Sequence, residues 1–240
     1  MSLSKEEIRN NLDTVRDRIQ VAASSAGRST GDIKLVVVSK RQPVDVIEKA
    51  AKAGAVCFGE NYAEEVEAKQ QSLAGFPALQ WHMIGHIQSR KARIVAGRFD
   101  YVHSLDSIDL AQKLNRILAE RKTFLPVLLE MNVSSEASKG GWPAWDQNDW
   151  DRLKPEIEAV LACQSLNVRG LMTMPPLFAD PRAVRPFFRR LAMLRDFLAV
   201  CFPMAEWDEL SMGTSADYEI GIQEGATFVR IGQAILGSRP

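Results

Sequence analysis

The 240-residue chain balances 30 basic against 30 acidic side chains. It lacks the basic excess of a general polyanion binder, so no nucleic-acid partner is expected. Its three cysteines, Cys57, Cys163 and Cys201, are scattered and odd in number, with no CxxC pairing. That argues against a disulfide framework or a zinc site, and no metal is expected. The N-terminal stretch SLSKEEIRNNL has no apolar signal-peptide core, and no segment reaches the roughly 18 to 20 apolar residues of a spanning helix. A soluble, cytoplasmic protein without membrane contact is expected.

Along the chain, the first element is a helix. Ser4 and Glu7 have capping-box spacing, Ile8, Leu12, Val15 and Ile19 recur at helical period, and Gly27 can end it. Eight short apolar runs follow: Leu35–Val38, Ala55–Phe58, Leu79–Ile84, Tyr101–Leu105, Val127–Val133, Val168–Met174, Glu209–Met212 and Thr227–Ile231. Helical patterns lie between most of them, among them Val44–Ala53 after Pro43, Ser107–Arg121, Asp149–Ala162 and Arg182–Val200. Strand–helix alternation argues for parallel pairing, and runs without polar alternation fit strands buried on both faces. Eight such units predict a single (β/α)8 barrel domain over residues 1–240 with an extra N-terminal helix. A doubly wound open sheet is the alternative, weakened by the absence of GxGxxG after the first strand. The loop KGGWPAWDQNDW, residues 139–150, carries three tryptophans. They either tuck the loop onto the barrel or form a contact surface for a partner.

In a barrel the active site gathers at the C-terminal ends of the strands. There the sequence places Ser39-Lys40, then Gly59-Glu60-Asn61-Tyr62, then Gly85-His86, with Glu130 and Asn132 in the fifth run. The seventh run opens into Ser211-Met212-Gly213-Thr214-Ser215, and the eighth into Arg230-Ile231-Gly232. Each of these last two is a strand, a glycine and the start of a helix, a device that brings backbone N–H groups to an anion. Thr214 and Asp217 also have capping-box spacing. Together the two turns suggest a phosphate site. Arg230, in an apolar strand, needs a partner. That partner is either a core carboxylate such as Glu130 or an acceptor on a ligand in the barrel mouth. Closure sets the last strand beside the first, so Lys40 comes near Arg230, and alternation puts Val36, Val38 and Lys40 on the inward face. A lysine partly desolvated there is expected to have a lowered pKa and to be a better amine nucleophile. A lysine, a phosphate site and an arginine are what a pyridoxal 5′-phosphate site requires.

The segments VVVSK, FGENYAEE, WHMIGHIQSRK, GLMTMP, LSMGTSADYEIGIQEG and VRIGQAILG resemble the signature segments of the pyridoxal phosphate homeostasis (YggS/PROSC-like) family, whose fold is the barrel domain of alanine racemase. The likeness runs from about Lys34 to Gly237. It implies pyridoxal phosphate as cofactor, with Lys40 as the Schiff-base lysine and Asn61 near the ring. It also implies Arg230 on the pyridine nitrogen, and Ser211, Met212, Gly213, Thr214, Ile231 and Gly232 as the phosphate cup. Only the SSEASKGGW segment departs from the family's plainer loop.

Alanine racemase-like enzymes add a further β domain that supplies a second catalytic base, and nothing of that kind follows the eighth run. The resemblance therefore leads us to expect a cofactor carrier in vitamin B6 and amino-acid balance. It would be most simply a monomer, would hand pyridoxal phosphate to apo-enzymes, and would have little or no racemase activity. No catalytic residue is firm, and Lys40 would carry any activity there is. The rival is a monodomain pyridoxal-phosphate racemase or lyase with His82, Tyr62 or Glu130 as second base. For His82 a place in the core competes with that role. A cofactor-free lysine aldolase is a further rival.

Overall fold

The eight apolar runs become eight parallel strands of one closed sheet in a computed structural model of the chain, which describes residues 3–136 and 138–238. They are β1 Lys34–Val38, β2 Cys57–Glu60, β3 Gln80–Met83, β4 Tyr101–Leu105, β5 Leu125–Asn132, β7 Leu166–Met172, β8 Glu209–Ser211 and β9 Phe228–Ile231. The order around the barrel is β1-β2-β3-β4-β5-β7-β8-β9, and β9 returns to β1 with Val36 level with Arg230 and Val37 level with Ile231. Helices cover the outside: α2 Val44–Lys52, α3 Val66–Ser72, α4 Ala92–Arg98, α5 Ile108–Arg121, α6 Lys154–Leu161, α7 Arg185–Cys201, α8 Tyr218–Gln223 and α9 Gln233–Leu236. The expected (β/α)8 architecture is therefore what forms.

Boundaries differ from the sequence reading in physically simple ways. The helix expected from Asp149 begins as a tight three-residue-per-turn segment, Gln147–Leu153, and turns α-helical only at Lys154. The one expected from Arg182 does the same over Pro181–Val184 before α7. In both, a proline occupies the first α-turn, where its missing N–H goes unused. A two-residue strand, β6 Trp142–Pro143, was not expected. It pairs in parallel with Met131 and Asn132 at the end of β5. The tryptophan loop is largely tucked in. The Trp142 indole donates to Glu156 (2.6 Å), and Trp150 is buried and donates to the Ala144 carbonyl (3.1 Å). Trp145 alone stands out, at 42% exposure. Ala137, inside the SSEASKGGW segment, lies outside the described residues.

The leading helix α1, Lys5–Ser25, starts on the Ser4–Glu7 capping box and buries Ile8, Leu12, Val15 and Ile19. It packs on α2, α8 and α9. Since α8 and α9 are a turn or two long, the seam where β9 meets β1 would otherwise be thinly covered. Side-chain links reinforce it: Asn11 to the Ile235 carbonyl (3.1 Å), Lys49 to that of Leu3 (3.1 Å), and Arg28 to those of Ile222 and Ala226 (both 2.8 Å).

Inside the barrel Val36, Leu128, Met172 and Phe228 form a small apolar cluster. Polar groups lie beside it. At the N-terminal end Glu209 takes Lys34 Nζ at 2.7 Å and the Tyr101 hydroxyl. Above it, His82 stacks on the Tyr101 ring (centroids 5.3 Å apart) and its Nδ1 lies 2.9 Å from His103 Nε2. His103 Nδ1 lies 2.8 Å from Ser211 Oγ. Burial, with Lys34 nearby, pushes His82 down to about 3, and burial takes His103 well below the usual imidazole range.

Two predictions follow from this packing. Leu12→Ala should lower stability by about 3 kcal/mol in urea unfolding, with faster amide exchange in α8 and α9; a loss below half a kilocalorie would mean α1 does not seal the seam. The histidines set an acid limit. Below about pH 6.5 the unfolded chain binds imidazole protons that the folded chain refuses, so stability falls with pH by about 1.4 kcal/mol per unit for each such histidine. Glu130, pushed up to about 7 by burial and by Asp106, works in the opposite sense over the same range. The clean measurement is therefore a difference: between pH 6.5 and 5, His82→Phe should lose about 2 kcal/mol less than the wild type. Equal losses would show that His82 accepts its proton in the folded chain.

Candidate active site

The β1 strand ends at Val38, and the chain turns at once through Ser39, Lys40, Arg41 and Gln42, closed by Gln42 N–H on the Ser39 carbonyl (3.1 Å). Arg41 adopts φ +56°, a left-handed conformation that costs a non-glycine residue roughly 1–2 kcal/mol. Its surroundings offset this. Its N–H donates to Glu65 (3.2 Å) and its guanidinium donates to the Tyr62 hydroxyl (2.9 Å) while lying 5.2 Å from that ring's centre. Beneath the turn is a buried cluster. Ser39 Oγ donates to Glu60 Oε1 (2.6 Å), and Lys69 Nζ donates to the same oxygen (2.7 Å), to the Ser39 carbonyl (3.1 Å) and to Glu65 (3.0 Å). The ammonium thus uses all three of its protons. Burial pushes the Glu60 carboxyl up, with Lys69 pulling it back. Lys40 itself is half-buried at the C-terminal end of the barrel.

The neighbouring strand supplies the second part. Arg230 is 3% exposed. Its guanidinium donates to Ser211 Oγ, to the Thr173 carbonyl (2.9 Å) and to the Met174 sulfur (2.9 Å). Those contacts use three of five N–H groups. Of the two partners weighed for Arg230, the core carboxylate Glu130 forms no ion pair with it, and among the described residues no carboxylate lies within salt-bridge distance. Burial lowers Arg230 to about 10, and Glu130 and Asp217 act on it only through space.

The two glycine turns come together beside it. Arg230 N–H donates to the Gly213 carbonyl (3.0 Å). Gly213 has φ +96°, and a Cβ there would lie 2.7 Å from Tyr218 Cα. Gly232 lies against Val38, where a Cβ would come within 3.1 Å of the carbonyl oxygen. Met212 and Ile231 are buried behind the turns. Thr214 and Asp217 use their spacing in one direction, the Asp217 carboxylate accepting from Thr214 N–H (2.6 Å) and Oγ1 (3.0 Å). Among the described residues, the amides of Gly213, Ser215 and Gly232 have no acceptor. The Ser211 hydroxyl faces inward, on His103 and Arg230, so it offers nothing to an anion at the mouth.

Around the rim, Asn61 and Tyr62 line a cleft of about 430 Å³ with Met83, His86, Arg90 and Lys91. His86 Nδ1 meets Asp106 at 2.8 Å. Glu130 lies beneath Gly140, whose Cβ would stand 3.6 Å from Oε1. His82 is not at the mouth. It is 2% exposed, deep in the barrel, and belongs to the core. Sequence reasoning singles out Lys40, Arg230 and the turns, which the fold sets at one end of the barrel, but not the contacts of Glu60, Lys69 or His103. The available signals were a charge ending the run AVCFGE and a histidine among the apolar residues of YVHSL.

The family model described as alanine racemase, N-terminal domain, matches residues 10–240. A pyridoxal phosphate homeostasis protein of Pseudomonas aeruginosa is 42% identical over 235 residues, covering 97% of this chain and 96% of that one. That of Vibrio alginolyticus is 38% identical over 235 residues, covering 97% of each. The structure of PipY from Synechococcus elongatus, described as a COG0325 family member, superposes with a TM-score of 0.85 without PLP and 0.83 with PLP bound. Each is 32% identical and covers 96% of this chain and all of that one. An alanine racemase of Clostridium difficile, 17% identical with a TM-score of 0.72, shares the fold over 98% of this chain and 56% of its own. By sequence along nearly its whole length and by its barrel, the chain belongs to the pyridoxal phosphate homeostasis protein family.

Proposed function

We propose that residues 1–240 form one cofactor-holding barrel that binds pyridoxal 5′-phosphate as a Schiff base on Lys40 and serves intracellular vitamin B6 balance. The register of β1 against β9 carries the reading, because it sets Lys40, the two glycine turns and Arg230 at one end of the barrel. The residues fit the group. Amides without an acceptor at Gly213, Ser215 and Gly232 suit a phosphate, with Met212, Thr214 and Ile231 shaping the cup. Arg230 retains N–H groups for an acceptor on the ring, and Asn61 lies at the rim. PLP bound to PipY on the same fold supports this. Pyridoxal phosphate supplies an aldehyde and an electron sink. Facing an arginine, which does not readily give up a proton, the ring nitrogen stays unprotonated and the sink is weak. The protein is then a carrier rather than a racemase, acting as a monomer, and apo-enzymes are the natural recipients.

A racemase or lyase reading draws support from Glu130 alone, a carboxyl at the site held near pH 7 by burial. Incubation with L-alanine, L-serine and L-aspartate should give no turnover. Sustained turnover abolished by Glu130→Gln would reverse the assignment.

The cofactor reading is tested on Lys40. Wild-type protein mixed with pyridoxal phosphate should turn yellow and retain the cofactor's mass on Lys40 after borohydride. Lys40→Ala should show neither, and a Lys40→Ala protein with the wild-type spectrum would sink the proposal. The clamp under the turn gives a second measurement. Lys69→Met leaves a buried carboxylate without its ammonium and should cost about 3 kcal/mol of stability and weaken cofactor uptake. Adding Glu60→Gln should recover much of both. If the double variant is no better than the single, Glu60 and Lys69 do not act as a pair.

A further inference from the structure

We infer that His103 is a positioning residue for Arg230. It acts through the Ser211 hydroxyl as the middle link of a one-way hydrogen-bond chain that runs Arg230, Ser211, His103, His82.

The direction follows from donor and acceptor counting. A guanidinium can only donate, so Ser211 Oγ accepts from Arg230. Among the described residues the hydroxyl proton then has one acceptor within reach, His103 Nδ1 at 2.8 Å. An imidazole that accepts at Nδ1 carries its proton on Nε2, and that proton points at His82 Nδ1, 2.9 Å away. His82 is thereby also the Nε2–H form, and its Nε2 is a buried atom with no partner among the described residues. The chain ends there, against the Tyr101 and Phe228 rings. The opposite orientation has His103 Nδ1–H donating to Ser211. It strands the Ser211 hydroxyl proton as well as His82 Nε2, two unmet groups in place of one, and buried polar groups left unpaired are what folding avoids. His103, at full burial, therefore acts as a neutral acceptor beneath a permanent cation. It holds the serine lone pair toward Arg230 and so fixes which guanidinium N–H groups remain for a ligand. That last consequence rests on the reading of Arg230 as the group that meets the cofactor ring; the direction of the chain does not.

The two parts are tested separately. The chain has three histidines, so protein with ¹⁵N-labelled imidazoles, without cofactor, gives a spectrum that His86→Gln and His82→Phe assign. Both buried rings should carry hydrogen on Nε2 and none on Nδ1. A proton on His103 Nδ1 overturns the chain. For positioning, His103→Leu and His103→Asn are titrated with pyridoxal phosphate and their visible spectra recorded. Asparagine places an acceptor oxygen near the position of Nδ1; leucine does not. His103→Leu should bind about tenfold more weakly, the worth of one lost hydrogen bond, with a displaced visible band, and His103→Asn should keep both wild-type values. Identical affinity and spectrum in the leucine variant, or equal damage in both, refutes positioning. If leucine prevents folding, a wild-type-like asparagine variant still supports positioning and a damaged one refutes it. A wild-type protein that takes up no pyridoxal phosphate defeats the cofactor assignment while the ¹⁵N spectrum still decides the chain.

Discussion

A guanidinium inside a barrel of eight strands has to be satisfied by groups that the strands themselves bring. Arg230 is met by a hydroxyl from β8, by a carbonyl just past the end of β7 and by a thioether beyond it. Its backbone N–H holds the Gly213 carbonyl. A charge satisfied by neutral dipoles keeps much of its field, because among the described residues no carboxylate lies within ion-pair distance, and Glu130 and Asp217 act on it only from farther off. The surrounding interior is arranged accordingly: uncharged imidazoles lie below the cation, and Glu130 is kept at a distance and raised toward neutrality. The positive potential thus opens toward the mouth, where Lys40 and the glycine turns lie.

Much of this was legible before any coordinates. Strands buried on both faces read as apolar runs, and the barrel's closing rule sets the last beside the first, so Lys40 and Arg230 could be brought together by counting strands. The Thr214–Asp217 spacing was legible for the same local reason. What escaped the sequence depends on pairings across long separations. Glu60 and Lys69 look like an ordinary strand end and an ordinary helix lysine until β2 sets one beneath Ser39 and α3 folds the other over it. His103 meets Ser211 across 108 positions, and no periodicity reports that. The place of Ser211 on a strand end is visible in the sequence, while the inward direction of its hydroxyl, onto His103 and Arg230, is not. Two α-helices begin three and five residues later than hydrophobic period suggests, at Arg185 and Lys154, because a tighter helical segment precedes each.

The turn at Lys40 illustrates how a strained segment is sustained. A left-handed arginine follows the lysine directly, and a linked set of contacts holds it: Glu65 on its N–H, Tyr62 under its guanidinium and the Ser39–Glu60–Lys69 cluster below, whose Lys69 also donates to Glu65. Such strain persists where the surroundings over-determine it. This leaves the lysine on a platform fixed from beneath.

The short β6 strand has its own effect. By pairing Trp142 and Pro143 with the last residues of β5, it pins the far end of the connecting segment within a few ångströms of where that segment began. The Asn132 side chain, accepting from Ser134 and donating to the Glu136 carbonyl, ties down the near end. With both ends tethered to the same strand, residues could be added to or removed from the span between them without shifting β5 or α6. Lengthening such a closed loop costs little, since closure entropy grows only with the logarithm of its length. The rim of the barrel therefore has one place where new chemistry can hang over the mouth while the strand register beneath it stays as it is.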